Sequence, residues 1–422
     1  MNTLSWADAR AAVTTAVLTH AARGTDTVPV SEAVGRTLAT AVTSPMDVPH
    51  YTSSAMDGFA VRGSGPWRLL ATPVQDAAGR NIHRTGGTLE PGEALPVLTG
   101  SLLPTGAEAV VRSEDAEVSC SGAQLHAAQP AVGKDIRPAG QERSAGAELL
   151  AAGVRLTPRH VAMLCAGGID EVEVWRRPTV ACAFTGNEIV RSGVPGPGEV
   201  RDAFSVSFPA LLESWGASVI SAEPVPDDPV AVEYWLRRPT TVDADIVVVT
   251  GGSGHSTQDF ARRFILRAVS DDGEVLASGV ACRPGHPTLI ARRGAQLIIG
   301  APGNPFAAHV ALHSFVAPAV AAFTGAEDAP AVGLFSGVCA TDVAPLDRDR
   351  VRLVPAVLRA PGGAGGTGAG GSGGVNATDG TTAAPIPGSH SHMLTGYATA
   401  DVLLIVPPTG LTAGDAVEYL AL

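Results

Sequence analysis

Lysine is almost absent from this chain of 422 residues: Lys134 is the only one, and arginine supplies every other strong base. The formal net charge is −12, and no basic stripe with interleaved aromatic residues offsets it, so no nucleic-acid partner is expected. No apolar stretch runs unbroken for the roughly 18 positions a membrane span requires, which argues against a membrane partner. The opening residues also lack a basic segment followed by an apolar one, the mark of a secretory signal. Cysteine is sparse, with Cys120, Cys165, Cys182, Cys282 and Cys339 widely separated and never in a C-x-x-C pair. That spacing excludes a zinc knuckle and suits a reducing compartment, so the expected location is the cytoplasm and the thiols read as structural.

What the chain does have is length for about three domains and a texture that changes along it. Residues 5–20 carry small and apolar side chains at helical spacing, with Ser5 available as N-cap and Asp8 three positions on. From about 44 to 133, short apolar runs such as 93–98 and 109–112 alternate with Gly and Pro, the pattern of a β-rich unit. Helical character returns after Pro158, and the 149–170 segment is expected to pack against the first helix, making the β-rich part an insertion. From Pro178 the pattern alternates strand and helix, which predicts a doubly wound α/β domain with a parallel sheet. A last β-rich region follows Thr324, interrupted at 361–374 by Gly, Ala, Ser and Thr that read as a flexible surface loop. The resulting division is 1–43 with 134–172 as a helical and extended N-terminal domain, 44–133 as the inserted β-rich domain, 173–326 as the α/β domain and 327–422 as the C-terminal β domain.

Ligands of such an α/β domain gather where its strands end. The β-branched run from Ile246 to Val249 enters Thr250-Gly251-Gly252-Ser253-Gly254, where bare backbone amides let a phosphate or other oxyanion approach. Two further loops leave apolar strands in the same manner: Thr185-Gly186-Asn187-Glu188 and Gly300-Ala301-Pro302-Gly303-Asn304-Pro305. Asn304 is placed to N-cap the following helix, with Pro305 at its first position. Glu188 and Asp259 each follow such a turn, where paired carboxylates would hold Mg²⁺ or another divalent cation beside a phosphate-bearing ligand. His309 and His313 have i, i+4 spacing, but with no third ligand in view they read as core or surface histidines. Asp57, before Gly58, reads as a turn aspartate.

The segment Ser54-Ala55-Met56-Asp57-Gly58-Phe59-Ala60-Val61 resembles the hallmark of the molybdopterin molybdenumtransferase family, which includes bacterial MoeA and the E domain of gephyrin. Collinear segments are similar to other family motifs: Leu98-Thr99-Gly100, residues 135–146, Arg177-Pro178 through Glu188, Asp227-Asp228, and Pro302 through Ala308. The resemblance implies the four-part architecture above, with the α/β domain binding molybdopterin, and an elongated homodimer whose cleft is shared between subunits. It implies adenylylated molybdopterin and molybdate as substrates, AMP as product, a divalent cation, and other molybdenum cofactor proteins as further partners. By the same resemblance Asp57, Thr99, Glu142, Glu188 and Asp259 become candidate catalytic residues. Thr185, Gly186, Gly251, Gly252, Ser253, Gly254, Arg283, Pro302, Gly303, Asn304 and Ser391 become candidate ligand contacts, with Glu188 and Asp259 on the metal.

Several departures fall within these motifs. Asn187 replaces an aspartate, residues 253–258 differ from the family loop, His286 stands where the K-P-G-K-P segment has its second lysine, Ala307 replaces a serine, and Pro355 falls where an arginine is expected. The loss of acids, hydroxyls and cations leaves open a noncatalytic relative that binds molybdopterin or a nucleotide without inserting metal. An unrelated phosphate-ester enzyme on the same α/β fold is the third alternative.

Overall fold

The computed structural model describes residues 2–70, 87–251, 260–326, 332–346, 348–360 and 381–422. The glycine-rich 361–374 segment lies outside them, as do Gly252, Ser253, Gly254 and Asp259.

The first helix, Trp6–His20, starts where Ser5 accepts the amide of Asp8 at 3.1 Å. Its buried face is Trp6, Ala9, Val13 and Val17, a stripe of helical period. That stripe does not meet the 149–170 segment, contrary to the expectation from sequence. It packs into the α/β core with Phe315, Ala319, Val320 and Phe323, and the Trp6 indole donates to Ser314 Oγ at 2.9 Å. Helix Pro158–Ala166, capped by Thr157, instead packs with Val30, Leu38, Val172 and Val174 around the strand pair Thr25–Pro29 and Glu171–Trp175. A large apolar face is available only on the α/β layer, and the longer amphipathic helix covers it.

The inserted region forms a six-stranded sheet in the order 109–112, 58–61, 93–97, 67–69, 124–126, 117–118. Neighbours along its strands alternate between two small cores: Ala60 and Val110 face one, Val61, Ala109 and Val111 the other. Asp57 sits immediately before strand Gly58–Val61, and Thr99 lies in the turn after strand Glu93–Val97, the neighbouring strand of the sheet.

The α/β layer is a six-stranded sheet ordered 218–225, 179–185, 246–250, 296–301, 289–293, 273–277. The first four strands are parallel, whereas the last two run antiparallel, so the sheet is mixed rather than wholly parallel. Its central strands are buried on both faces: Val248 and Ile299 point into one core, Val247 and Ile298 into the other. Asp245 anchors the strand that opens the site, accepting both terminal nitrogens of Arg176 at 2.8 and 2.9 Å and the Thr179 amide at 2.7 Å.

Helical chain from Pro305 to Thr324 passes through a π-helical turn at Leu312–Val316 and stops at Gly325, whose φ of +63° is left-handed. It is long and apolar enough to cross a membrane, with a mean hydropathy of 1.6, yet it is wholly buried inside the protein. It is the central core helix, enclosed by the sheet, helix Trp6–His20 and the C-terminal strands.

Strands 334–339, 351–359, 382–385, 402–406 and 416–421 pair in a closed ring. Strand Gly279–Arg283 pairs in parallel with Thr3–Ser5 on one side and, through Cys282 and Arg283, with Val351 and Arg352 on the other. This strand joins the α/β layer to the barrel, and the site described next lies along that join.

Candidate functional site

Three turns at the carboxyl ends of parallel strands converge, as open α/β sheets require of a binding crevice. Thr185 Oγ1 donates to the Thr250 carbonyl at 2.8 Å, tying the first turn to the second. Gly251 has φ +83°, and a Cβ there would stand 2.4 Å from Thr185 Oγ1 and 2.7 Å from its carbonyl oxygen. Only glycine fits both the backbone and the space. Together with Gly186, Glu188, Pro302, Gly303 and Asn304, these residues line a cavity of about 730 Å³. Asp202, Asp227, Arg201, Phe204 and His392 complete much of its wall.

Two further carboxylates share this wall with Glu188: Asp202, which was not singled out from sequence, and Asp227, which was named only within the Asp227-Asp228 pair. Burial works against ionisation of Asp202, but the Ser205 hydroxyl and the Ser205 and Phe204 amides outweigh it and hold the group below the usual carboxylate range. Asn187, where the family motif has an acid, accepts the Asp227 amide through Oδ1 at 3.1 Å and so braces the turn that carries Asp227. Glu188 itself is exposed to the cavity.

A second cavity of about 450 Å³ adjoins the first through Pro287, Pro302 and Asn304. Arg283, His286, Arg348, Arg350 and Ser391 line it, and among the described residues no carboxylate does. A third, of about 560 Å³, continues from Arg283, Pro284 and Ser391 along the barrel to Arg352 and His390. Between Arg283 and Arg352 the wall is strongly cationic, and burial and Arg283 together lower the Arg352 pKa. Asn304 sits at the N-cap position, but its side chain does not cap the helix: Nδ2 donates to Ser391 Oγ at 3.3 Å. The Ala307 amide is likewise taken by the Ser391 carbonyl at 3.1 Å, so Ser391 binds the helix start to the barrel.

The structure thus gathers Thr185, Gly186, Glu188, Gly251, Pro302, Gly303 and Asn304 in one cavity and Arg283 and Ser391 in the next. Asp57 and Thr99 meet each other elsewhere. The Asp57 carboxylate accepts the Thr99 amide at 2.6 Å and its hydroxyl at 2.8 Å, and these bonds, the amide first, hold its pKa low. Glu142 is exposed in a loop whose amide bonds the Val48 carbonyl at 2.9 Å. None of these three lines any of the cavities. His309 and His313 are core residues: His309 reaches the Pro305 carbonyl and Ser207, and His313 Nε2 lies 2.9 Å from the Tyr397 hydroxyl. Burial, with a smaller contribution from His309, pushes His313 down to about 3, so it is neutral at ordinary pH.

Arg348 escaped the sequence reading, Arg350 entered it only as the first residue of the segment through Leu358 that resembles a family motif, and Asp202 escaped it. The alternation Arg348-Asp349-Arg350-Val351-Arg352 carried a signal for the first two, since alternate residues of a strand share a face.

Layered sheet, barrel, inserted domain and strand-end crevice define a multidomain α/β protein with a ligand crevice at its strand ends, and the comparisons specify it. A profile described as "MoeA N-terminal region (domain I and II)" matches residues 4–168, "Probable molybdopterin binding domain" matches 181–322, and "MoeA C-terminal region (domain IV)" matches 338–422. A molybdopterin molybdenumtransferase of Nostoc sp. is 32% identical over 304 residues, 70% of this chain and 69% of that protein. Molybdopterin molybdenumtransferase 2 of Mycobacterium tuberculosis is 31% identical over 312 residues, 72% of this chain and 76% of its own length. Two solved structures of the molybdopterin biosynthesis MoeA protein from Pyrococcus horikoshii match with TM-scores of 0.75 and 0.72, at 26% and 21% identity, covering 99% and 100% of both chains. The chain belongs to the MoeA family of molybdopterin molybdenumtransferases.

Proposed function

We propose that this chain inserts molybdate into adenylylated molybdopterin and releases AMP. The observation that carries the reading is the contiguity of the two cavities: a large crevice at the strand ends opens, across Pro302 and Asn304, into a pocket lined by Arg283, Arg348 and Arg350. The first suits the pterin nucleotide, whose phosphates the glycine turns admit. The second suits a tetrahedral dianion, because the planar donor forks of Arg283, Arg348 and Arg350 match pairs of its oxygens. Holding the two reactants against each other supplies the proximity that a bimolecular exchange lacks in solution. No observation favours the noncatalytic alternative.

The acids of the large cavity fit a hard dication such as Mg²⁺, which takes one or two carboxylates alongside substrate phosphates and water. Glu188 is the proposed ligand, with Asp202 and Asp227 in the same wall and Asp259 following the opening loop. A bound dication would offset charge on the phosphoanhydride as AMP departs. The chain's own residues orient: Thr185 and Gly251 fix the turn, and Asn304 and Ser391 hold the two cavities in register.

Asp57, Thr99 and Glu142 do not line the three cavities described, and a homodimer with a shared cleft is the reading that uses them, the partner's inserted sheet delivering the ionised Asp57. The four-part domain division is proposed with the same boundaries, helix Trp6–His20 being packed on the α/β layer. Five free cysteines suit a reducing compartment, and the proposed location is the cytoplasm. The reading is tested by mixing purified protein with adenylylated molybdopterin, Mg²⁺ and molybdate. AMP release that requires all three and stops with chelator supports it; binding without turnover would establish the noncatalytic alternative instead.

A further inference from the structure

His286 replaces a cation of the family motif, but its contacts show a different use of the position. Its Nδ1 lies 2.8 Å from the Val280 carbonyl, and its Nε2 lies 3.2 Å from Nη2 of Arg350. A carbonyl oxygen only accepts, so Nδ1 carries the hydrogen. A guanidinium only donates, so Nε2 must present its lone pair. Both contacts coexist in one state alone, the neutral ring protonated at Nδ1.

The ring is held there by the backbone. The Val280 amide donates to the His286 carbonyl at 3.0 Å, closing the loop that follows strand Gly279–Arg283. The same strand pairs through Cys282 and Arg283 with Val351 and Arg352, which places Arg350 directly before the paired residues. Strand pairing therefore carries Arg350 to the imidazole, and the imidazole fixes its guanidinium at the wall of the arginine-lined pocket.

We propose that His286 is a positioning residue for the oxyanion site: a neutral acceptor that orients Arg350 toward the bound tetrahedral anion. This rests on the reading of that pocket as the molybdate site. Pre-orienting the guanidinium removes rotamer freedom before the anion arrives, so the ordering cost does not fall on binding. The chain thus trades a flexible ammonium for a fixed guanidinium and keeps a cation at the anion. His286 touches Arg350, not the reacting atoms.

A double-mutant cycle on the full-length protein tests this, reading the molybdate concentration that gives half-maximal AMP release from adenylylated molybdopterin with Mg²⁺. Arg350→Ala is expected to raise it about 30-fold and His286→Ala about tenfold, with the double variant no worse than Arg350→Ala alone. His286→Gln, which can offer an acceptor oxygen, should stay within about threefold of the parent, whereas His286→Lys should lose as much as alanine. Should His286→Ala fail to fold in a thermal melt, the glutamine and lysine variants still decide the matter. Multiplying losses in the double variant, a silent His286→Ala beside a damaging Arg350→Ala, or lysine outperforming glutamine would overturn the positioning role alone. A silent Arg350→Ala would instead remove the pocket from molybdate binding, and the reading beneath the proposal with it.

Discussion

The strand-end cavity and the arginine-lined pocket touch, yet they are built in different ways. The first is made by backbone: three turns, each encoded by a contiguous stretch of sequence, meet because their strands are neighbours in one sheet. The second is made by side chains from four separate segments, Cys282 to Pro287, Pro302 to Ala307, Leu346 with Arg348 and Arg350, and Ser391, that meet only because a barrel closes against the α/β layer. Backbone turns tolerate little change, as the 2.4 Å approach at Gly251 shows. A side-chain constellation can be rewired, and the departures at His286 and Ala307 fall there. Substitution is not confined to the pocket wall, since Asn187 and residues 253–258 depart within the turns; what the turns keep is glycine backbone such as Gly251.

The largest effect should come from Gly251→Val, which places a branched side chain into Thr185 at positive φ. We expect AMP release to fall at least about 100-fold, with stability reduced by about 2–4 kcal/mol in a denaturant melt. Near-normal turnover would break the claim that the first region is fixed by its backbone. Next, Asp57→Ala should abolish AMP release without dissociating the dimer. If the cleft is shared, heterodimers of Asp57→Ala and Arg350→Ala subunits keep one intact cleft and regain about half the activity of the unmutated dimer, because both lesions fall together in the other cleft. No recovery on mixing would place both residues in one protomer's site. Third, Arg350→Ala should weaken molybdate far more than the pterin nucleotide, by about tenfold or more against less than about threefold. Equal losses would merge the two regions into one.

The smallest effect concerns a contact outside both cavities, where Tyr397 of the C-terminal domain meets His313 of the core helix. Unfolded, His313 titrates near 6.5, while burial holds it down to about 3 in the fold. Between those values the unfolded chain binds the extra proton, so the stability this neutral histidine permits is complete above about pH 6.5 and is lost as pH falls toward 3. His313→Leu should flatten the acid side of the stability curve, by up to about 1.4 kcal/mol for each pH unit below 6. An unchanged slope between pH 7 and pH 5 in urea melts would show that His313 is not the residue that takes the proton.

Legibility followed the same division. The glycine turns, Glu188 and the Ser54–Val61 segment were readable because each is local, and alternating apolar runs announced the strands that carry them. Ser391 and Arg283 were reached only through family resemblance, since nothing in a Ser-His-Ser-His run says which helix start it will touch. Asn304 was read as a cap from its place before Pro305; tertiary contact with Ser391 took its side chain instead. The first helix was assigned correctly and packed wrongly, because a hydrophobic stripe specifies that it will be buried and not by what. The antiparallel edge of the sheet was missed for a related reason: strands 273–277 and 289–293 come between the parallel strands 246–250 and 296–301 in the chain, without a sequence mark of their direction.

The central claim is that the two cavities act together on two reactants in contact. In a single turnover with adenylylated molybdopterin, molybdate and Mg²⁺, AMP and pterin-bound molybdenum should be counted in the same sample. The account predicts about one molybdenum inserted for each AMP released, with both falling together in Arg350→Ala. AMP released at the full rate with no molybdenum on the pterin would contradict it.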